Sequence, residues 1–106
     1  MKIGIVVETK EAEKAWNAFR FGVAAQNGGH QVKAFLLGEG VECEDIRHEK
    51  FNVLEQMTLL SEAGGEILAC GTCLKLHQKE GTDLCPLSTM QDLLKLVEEC
   101  DRVLVF

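Results

Sequence analysis

Four short apolar runs recur along this chain, and a segment with helical spacing separates each run from the next. The runs occupy residues 2–7, 31–37, 66–70 and 102–106. Their β-branched and leucine-rich character is typical of strands that are buried on both faces. The segments between them predict four helices, which lie between the first two runs, over residues 51–63, over residues 71–78 and after Ser88. Strands that alternate with helices in this way indicate an α/β protein.

The order of the elements predicts a three-layer α/β/α sandwich around a mostly parallel sheet of four or five strands. The additional strand would be the short stretch 84–87, which Pro86 keeps extended. Thr9 is expected to cap the first helix, and Ser88 with Gln91 fits a capping box for the last one. At 106 residues the chain can bury one core, so we assign a single domain to residues 1–106.

Composition and charge argue against several classes of function. The formal net charge of −6 disfavours binding to a nucleic-acid backbone. No apolar run approaches the length of a membrane span, and the first residues lack the features of a secretory signal peptide. Five cysteines in a chain of this kind favour the cytoplasm, where a CxxC pair is more often catalytic or metal-binding than structural.

The third apolar run ends in the motif CGTC at residues 70–73. This arrangement places Cys70 at the carboxyl end of a strand and Cys73 in the first turn of a helix. Open parallel sheets bind their ligands at that edge, and the start of a helix favours a thiolate. We therefore expect Cys70 to be exposed and to be the most reactive thiol of the chain.

Charged and thiol side chains near this motif are candidates for accessory roles. Lys75, His77 and Lys79 follow within two helical turns and could supply positive charge to a thiolate. His77 could also act as a general base, although an exposed helix histidine is the commoner case. Cys85 is either a resolving thiol in a loop that faces the same edge or a half-buried inert one.

The other cysteines leave alternatives open. Cys100 lies on the apolar face of the last helix, where a structural role is expected. Cys43 lies in a polar loop and is either incidental or part of the rim of the site. A zinc site would need two ligands beyond the CxxC pair, and only Cys43, Cys85, His48 and His77 are candidates. We therefore assign no metal ion to the chain.

Two further patterns are a glycine-containing turn after the second strand and a second apolar stripe on the first helix. The run Gly38-Glu39-Gly40 follows the second strand and is a weak phosphate-loop signal; a turn that lets the backbone approach the site is the better interpretation. In the first helix, a second apolar stripe lies beside the stripe expected to face the core. It consists of Ala18, Phe21 and Ala25. This stripe indicates either a subunit contact or scattered surface residues.

The chain resembles the DsrE/DsrF-like family in three segments: residues 65–74 around the CGTC motif, residues 88–90, and the ending at residues 100–106. It is most similar to the DsrE-like domain of YedF proteins, which are linked to selenium metabolism. The resemblance implies a small α/β sandwich that assembles into trimers or hexamers. It also implies that Cys70 matches the cysteine that carries persulfide sulfur between proteins, and that Cys73 matches the second cysteine of the CGTC branch.

The functional expectation is a cysteine-based sulfur carrier, or a related sulfurtransferase, with sulfur donor and acceptor proteins as partners and no organic cofactor. Cys70 would accept the sulfur, and Cys73 could attack the persulfide, releasing sulfide and leaving a disulfide. A thiol–disulfide redox role is the first alternative, although Ala69 and Thr72 stand where thioredoxin-type motifs carry Trp and Pro. The second alternative is a non-catalytic oligomeric binding module whose cysteines are incidental.

Overall fold

The computed structural model describes all 106 residues and contains five strands and four α-helices. In chain order these are β1 (Lys2–Val7), α1 (Ala12–Asn27), β2 (Gln31–Leu36), α2 (Val53–Glu62), β3 (Glu66–Cys70), α3 (Gly71–Leu76), β4 (Leu87–Ser88), α4 (Met90–Glu99) and β5 (Arg102–Val105). A 3₁₀ segment over Gly38–Asp45 follows β2 and is called the 3₁₀ loop below. None of the helices combines the length and apolar character that a membrane crossing requires.

The five strands form one sheet in the order β4-β3-β2-β1-β5, and every neighbouring pair is parallel. The predicted α/β sandwich is confirmed. The additional strand is the two-residue β4, which shares only Leu87 with the predicted stretch 84–87. The chain begins with β1, and β2, β3 and β4 follow one after another on the same side of it. After α4 the chain crosses back, and β5 pairs with the free side of β1 at the opposite edge of the sheet. Right-handed crossovers therefore place α4 on the face of the sheet opposite α1 and α2.

Two apolar clusters hold the layers together. The larger one contains Phe19 of α1 and Leu60 of α2, both fully buried against the sheet. The smaller one joins Leu96 of α4 to Phe35 and Cys70 of the strands. Burial of a large apolar side chain contributes about 1.5–3 kcal/mol. The face covered by two helices therefore provides most of the hydrophobic stabilisation, and the α4 face is more thinly covered.

Two of the three residues in the second apolar stripe of α1 are covered within the chain itself. Ala18 and Ala25 are buried in the larger cluster, to which both α2 and the sheet contribute. Only Phe21, which is 39% exposed, faces solvent. The expectation that the whole stripe lies on the surface of the chain is therefore wrong, since α1 packs against α2 as well as against the sheet.

The two helix caps that were predicted from the sequence, those of α1 and α4, lie one or two residues away from their expected positions. α1 is capped by Glu11, whose carboxylate accepts from two backbone N–H groups of the first turn. The hydroxyl of Thr9 binds the N–H of Glu11 instead. α4 begins with a capping box formed by Thr89 and Asp92, one residue later than the box predicted to begin at Ser88. Neither shift moves the strands, so the edge that carries the CGTC motif lies where the sequence places it.

Candidate thiol site

The carboxyl ends of three strands bring the CGTC motif together with two other chain segments. Cys70 is the last residue of β3, and Cys73 lies in the first turn of α3, as predicted. Gly38 begins the 3₁₀ loop shortly after β2, and its N–H donates to Cys73 Sγ over 3.2 Å. Glu8 follows β1, and its carboxylate is close enough to act on the pKa of Cys73. Parallel strands produce this convergence because their carboxyl ends meet at one edge of the sheet.

The two thiols of the motif differ in exposure. Cys70 is 2% exposed and packs in the small cluster with Phe35 and Leu96. Cys73 is half-buried and packs against the same cluster, so the two thiols are neighbours. The expectation that the end of the strand exposes Cys70 is therefore wrong. It failed because the end of β3 belongs to an apolar cluster that also includes side chains of β2 and α4.

Three surrounding groups set the ionisation of Cys73. Burial has the largest effect and raises the pKa of this thiol. The Gly38 N–H lowers the pKa because it donates to the sulfur and stabilises the thiolate. The neighbouring Cys70 thiol and the Glu8 carboxylate raise the pKa further. The lowered pKa expected for a thiol at this helix start is therefore not found at Cys73, and one backbone N–H is the main group that favours its anion.

The basic residues that follow the motif face the 3₁₀ loop or solvent. His77 Nδ1 lies 2.8 Å from Glu42 Oε2, and this hydrogen bond is the main cause of the lowered pKa of Glu42. Lys79 pairs with Asp45, whereas Lys75 is exposed on α3. None of the three is among the main influences on the half-buried thiol. His77 and Lys79 instead tie the end of α3 and the residues after it to the 3₁₀ loop.

The other three cysteines lie outside the pair, and all five are free thiols. Cys43 is fully buried, its Sγ donates to the carbonyl oxygen of Thr9 over 3.3 Å, and burial raises its pKa to about 12. Cys85 is 4% exposed within the larger cluster, and burial raises its pKa as well. Cys100 is half-buried against Gly4 of β1. Of the two roles left open for Cys85, the structure favours the inert one.

The candidate metal ligands are dispersed. No group of three or more His, Cys, Asp or Glu side chains is arranged to hold a metal ion. His48 packs its ring against Phe51, with 5.0 Å between the ring centroids, and His77 binds Glu42.

The group that sequence reasoning did not name is the backbone N–H of Gly38. Its φ of +57° lies in the left-handed region, where glycine is favoured. Gly40, two residues later, lies so close to the carbonyl oxygen of Val7 that a Cβ would clash with it. The interpretation of this segment as a turn that lets the backbone approach the site is confirmed. The sequence carries no signal, however, for which thiol the N–H would meet.

The fold and the site together define a class: small parallel α/β proteins that carry a cysteine pair at the carboxyl edge of the sheet. The chain belongs to the DsrE/DsrF-like family, whose family model matches residues 1–106. An uncharacterized protein of Methanopyrus kandleri is 36% identical over 100 residues, which cover 89% of this chain and 83% of that protein. An uncharacterized protein of Methanocaldococcus jannaschii is also 36% identical over 100 residues, with 89% and 88% covered.

Two solved structures share the architecture. The ychN protein of E. coli superposes with a TM-score of 0.88 at 21% identity, over 100% of this chain and 99% of that chain. A conserved protein of unknown function from Bacteroides thetaiotaomicron gives a TM-score of 0.73 at 15% identity, over 99% and 94%. At these identities the likeness shows the fold. Membership of the family suggests a function of the sulfur-relay type.

Proposed function

We propose that this protein carries a sulfane sulfur atom between partner proteins as a persulfide on the Cys70–Cys73 pair. The observation that carries the proposal is the geometry of the site: two neighbouring free thiols, one of which receives the N–H of Gly38. Membership of the DsrE/DsrF-like family supports it independently. The family resemblance makes Cys70 the residue that holds the persulfide.

Loading of the pair needs neither an oxidant nor a reductant. A thiolate of the protein attacks the outer sulfur of a donor persulfide, so that a new S–S bond forms and the S–S bond of the donor breaks. The donor leaves as a thiolate. Delivery follows the same chemistry, because an acceptor thiolate attacks the outer sulfur of the protein persulfide and displaces the protein thiolate. The transferred sulfur keeps its oxidation state in both steps.

The surroundings suit a persulfide that must survive between two encounters. Burial of Cys70 with Phe35 and Leu96 keeps water and small thiols away from a sulfur bound there. The N–H of Gly38 offers a hydrogen bond to a sulfur anion at Cys73. A site of this kind combines one protected position with one position that a partner can approach.

The proximity of the two thiols favours a second candidate function, thiol–disulfide exchange. Cys73 can attack the inner sulfur of a Cys70 persulfide, which forms the Cys70–Cys73 disulfide and releases hydrosulfide. A dithiol reductant would then have to restore the two thiols. The two candidate functions leave the cysteine pair in different states. A carrier that has delivered its sulfur has two free thiols, whereas a redox protein that has released hydrosulfide has a Cys70–Cys73 disulfide.

The proposal includes the partners and the compartment that this chemistry needs. A donor protein with a persulfide and an acceptor protein with a thiol are required, and the cytoplasm keeps both thiols of the pair reduced. We also propose self-association into a trimer or hexamer, as the family resemblance implies. The surface that supports it is the α4 stripe, formed by Met90, Leu94 and Val97, which are 54%, 59% and 50% exposed.

Intact mass spectrometry after incubation with glutathione persulfide tests the proposed function. The wild-type chain should gain one sulfur atom that dithiothreitol removes, whereas the Cys70→Ser/Cys73→Ser double variant should gain none. Cys100→Ser removes a half-buried thiol away from the pair and should load like the wild type. A Cys70–Cys73 disulfide without sulfur gain would favour the redox candidate. A wild-type chain that neither gains sulfur nor forms this disulfide would favour a binding module with incidental cysteines.

A further inference from the structure

We infer that sulfur enters and leaves this protein through Cys73 and is stored on Cys70, so that the CGTC pair works as a two-step relay. The inference rests on the proposed function. It reverses the order that the sequence alone suggests, in which Cys70 receives the sulfur directly from the donor.

The first argument is access. Sulfur transfer requires the attacking sulfur, the transferred sulfur and the leaving sulfur to align, so a persulfide held on a partner protein must reach the receiving thiol. Cys70 is 2% exposed and is enclosed with Phe35 and Leu96. Cys73 is half-buried on the first turn of α3 and is open on one side. A partner can therefore meet Cys73 without any rearrangement of the core, and it cannot meet Cys70.

The second argument is the position of the N–H donor. The N–H of Gly38 points at Cys73 Sγ over 3.2 Å. The donor is held in place by the left-handed backbone at Gly38 and by the close packing of Gly40 on the end of β1. A hydrogen bond to a thiolate stabilises the nucleophilic form. This donor therefore serves the thiol that attacks the incoming persulfide and that leaves when sulfur passes inward.

The inward step balances without an external reagent. After loading, the outer sulfur is bonded to Cys73 Sγ. The Cys70 thiolate attacks this outer sulfur, a Cys70–sulfur bond forms, and the bond between Cys73 Sγ and the outer sulfur breaks. Cys73 leaves as a thiolate under the N–H of Gly38, and the proton lost by Cys70 is available to it. The neighbouring positions of the two side chains make this transfer a local one.

Storage on Cys70 separates the bound sulfur from competing thiols. A small thiol in solution meets Cys73 first, and it can remove sulfur only during the interval in which the sulfur has returned to that residue. The relay thus predicts different roles for two cysteines that are three positions apart: Cys73 governs the rate of loading, and Cys70 governs how long the sulfur is retained.

Single variants loaded with glutathione persulfide test the relay. Cys73→Ser should lose most of the wild-type loading rate, because only the enclosed Cys70 remains. Cys70→Ser should load at close to the wild-type rate and should then return its sulfur to free glutathione faster than the wild type does. Cys100→Ser is the matched control and should behave as the wild type in both measurements. Fragmentation of the peptide that contains both positions locates the added sulfur.

Two results would overturn the relay while leaving the proposed function intact. One is a Cys73→Ser chain that loads Cys70 at the wild-type rate, and the other is a Cys70→Ser chain that does not load. Failure of the wild type to take up sulfur would instead reject the proposed function itself. Circular dichroism shows whether each variant is folded, and Cys73→Ala repeats the loading test should the serine variant be unfolded.

Discussion

Cys43 is part of the 3₁₀ loop, its side chain is fully buried, and its thiol donates to the carbonyl oxygen of Thr9. Burial raises its pKa from 9.0 to about 12. In the unfolded chain the thiol ionises near the lower value, whereas the folded chain keeps it neutral. Its contribution to stability is therefore fully present below pH 9.0 and is lost as the pH rises toward about 12.

We expect the free energy of unfolding to fall by about 1.4 kcal/mol per pH unit from this one group across that window. Urea denaturation at about pH 8 and about pH 11, compared for the wild type and Cys43→Ala, measures the effect. Alanine cannot ionise, so the variant should be less stable at the lower pH, because packing is lost, and should decline less steeply at the higher pH. An equal decline in the two proteins would show that Cys43 does not stay neutral in the folded chain.

At the scale of elements, the contact between the 3₁₀ loop and α3 is the one that forms the site. α3 has six residues and buries only Leu74, so its own hydrogen bonds and packing fix it weakly. Polar contacts from the loop add to this: Glu42 binds His77, Asp45 binds Lys79, and the carboxylate of Glu44 accepts from the Thr82 hydroxyl over 2.6 Å. These contacts hold the later half of the loop to the end of α3 and to the residues that follow it, so they limit how far α3 can move relative to the loop.

We expect His77→Ala to raise the pKa of Cys73. Loss of the 2.8 Å contact with Glu42 lets α3 move relative to the loop, which weakens the hydrogen bond from Gly38 and destabilises the thiolate. Iodoacetamide alkylation of Cys73 followed against pH should be several-fold slower near neutral pH. This substitution leaves every carboxylate in place, so no loss of negative charge obscures the result.

His30→Ala is the matched control for that experiment. His30 makes a comparable 2.8 Å contact, with the Met1 amine, at the opposite end of the sheet. Its removal should leave the alkylation profile of Cys73 unchanged. If both histidine variants slow the reaction equally, the effect comes from general loss of stability. If neither does, the 3₁₀ loop keeps its position without the Glu42 contact.

The sequence predicted the elements well and the enclosure of the site poorly, for a physical reason. Each strand is specified by its own apolar run, and the parallel order follows from the intervening helices. Cys70 is instead buried in a cluster whose other buried members, Phe35 and Leu96, are 35 and 26 positions away by residue number. Ala18 is likewise buried in a cluster whose members come from distant strands and helices. Local patterns carry no information about which distant side chain fills the space above a residue.

At the scale of the whole molecule, the two faces of the sheet are covered unequally. α1 and α2 pack side by side on one face, whereas α4 packs on the other through Leu96 and leaves the α4 stripe in solvent. On edge strand β5, Val105 is 66% exposed. Exposed apolar side chains grouped on one element of a small protein indicate an interface. For the self-association proposed above, α4 therefore offers a larger exposed apolar surface than the stripe of α1 that the sequence suggested.

We expect Leu94→Glu to weaken self-association and Phe21→Glu, on α1, to leave it intact. Leu94 lies at the centre of the α4 stripe, and its burial in an interface would contribute about 1.5–3 kcal/mol per copy. A glutamate there would place an unpaired charge in an apolar contact. Phe21 is also a partly exposed apolar residue on a helix, so Phe21→Glu controls for the added charge. Light scattering of the wild type and both variants gives the mass of the assembly directly.

A wild-type monomer at high micromolar concentration would reject the assembly, and an assembly disrupted only by Phe21→Glu would move the interface to the face covered by α1 and α2.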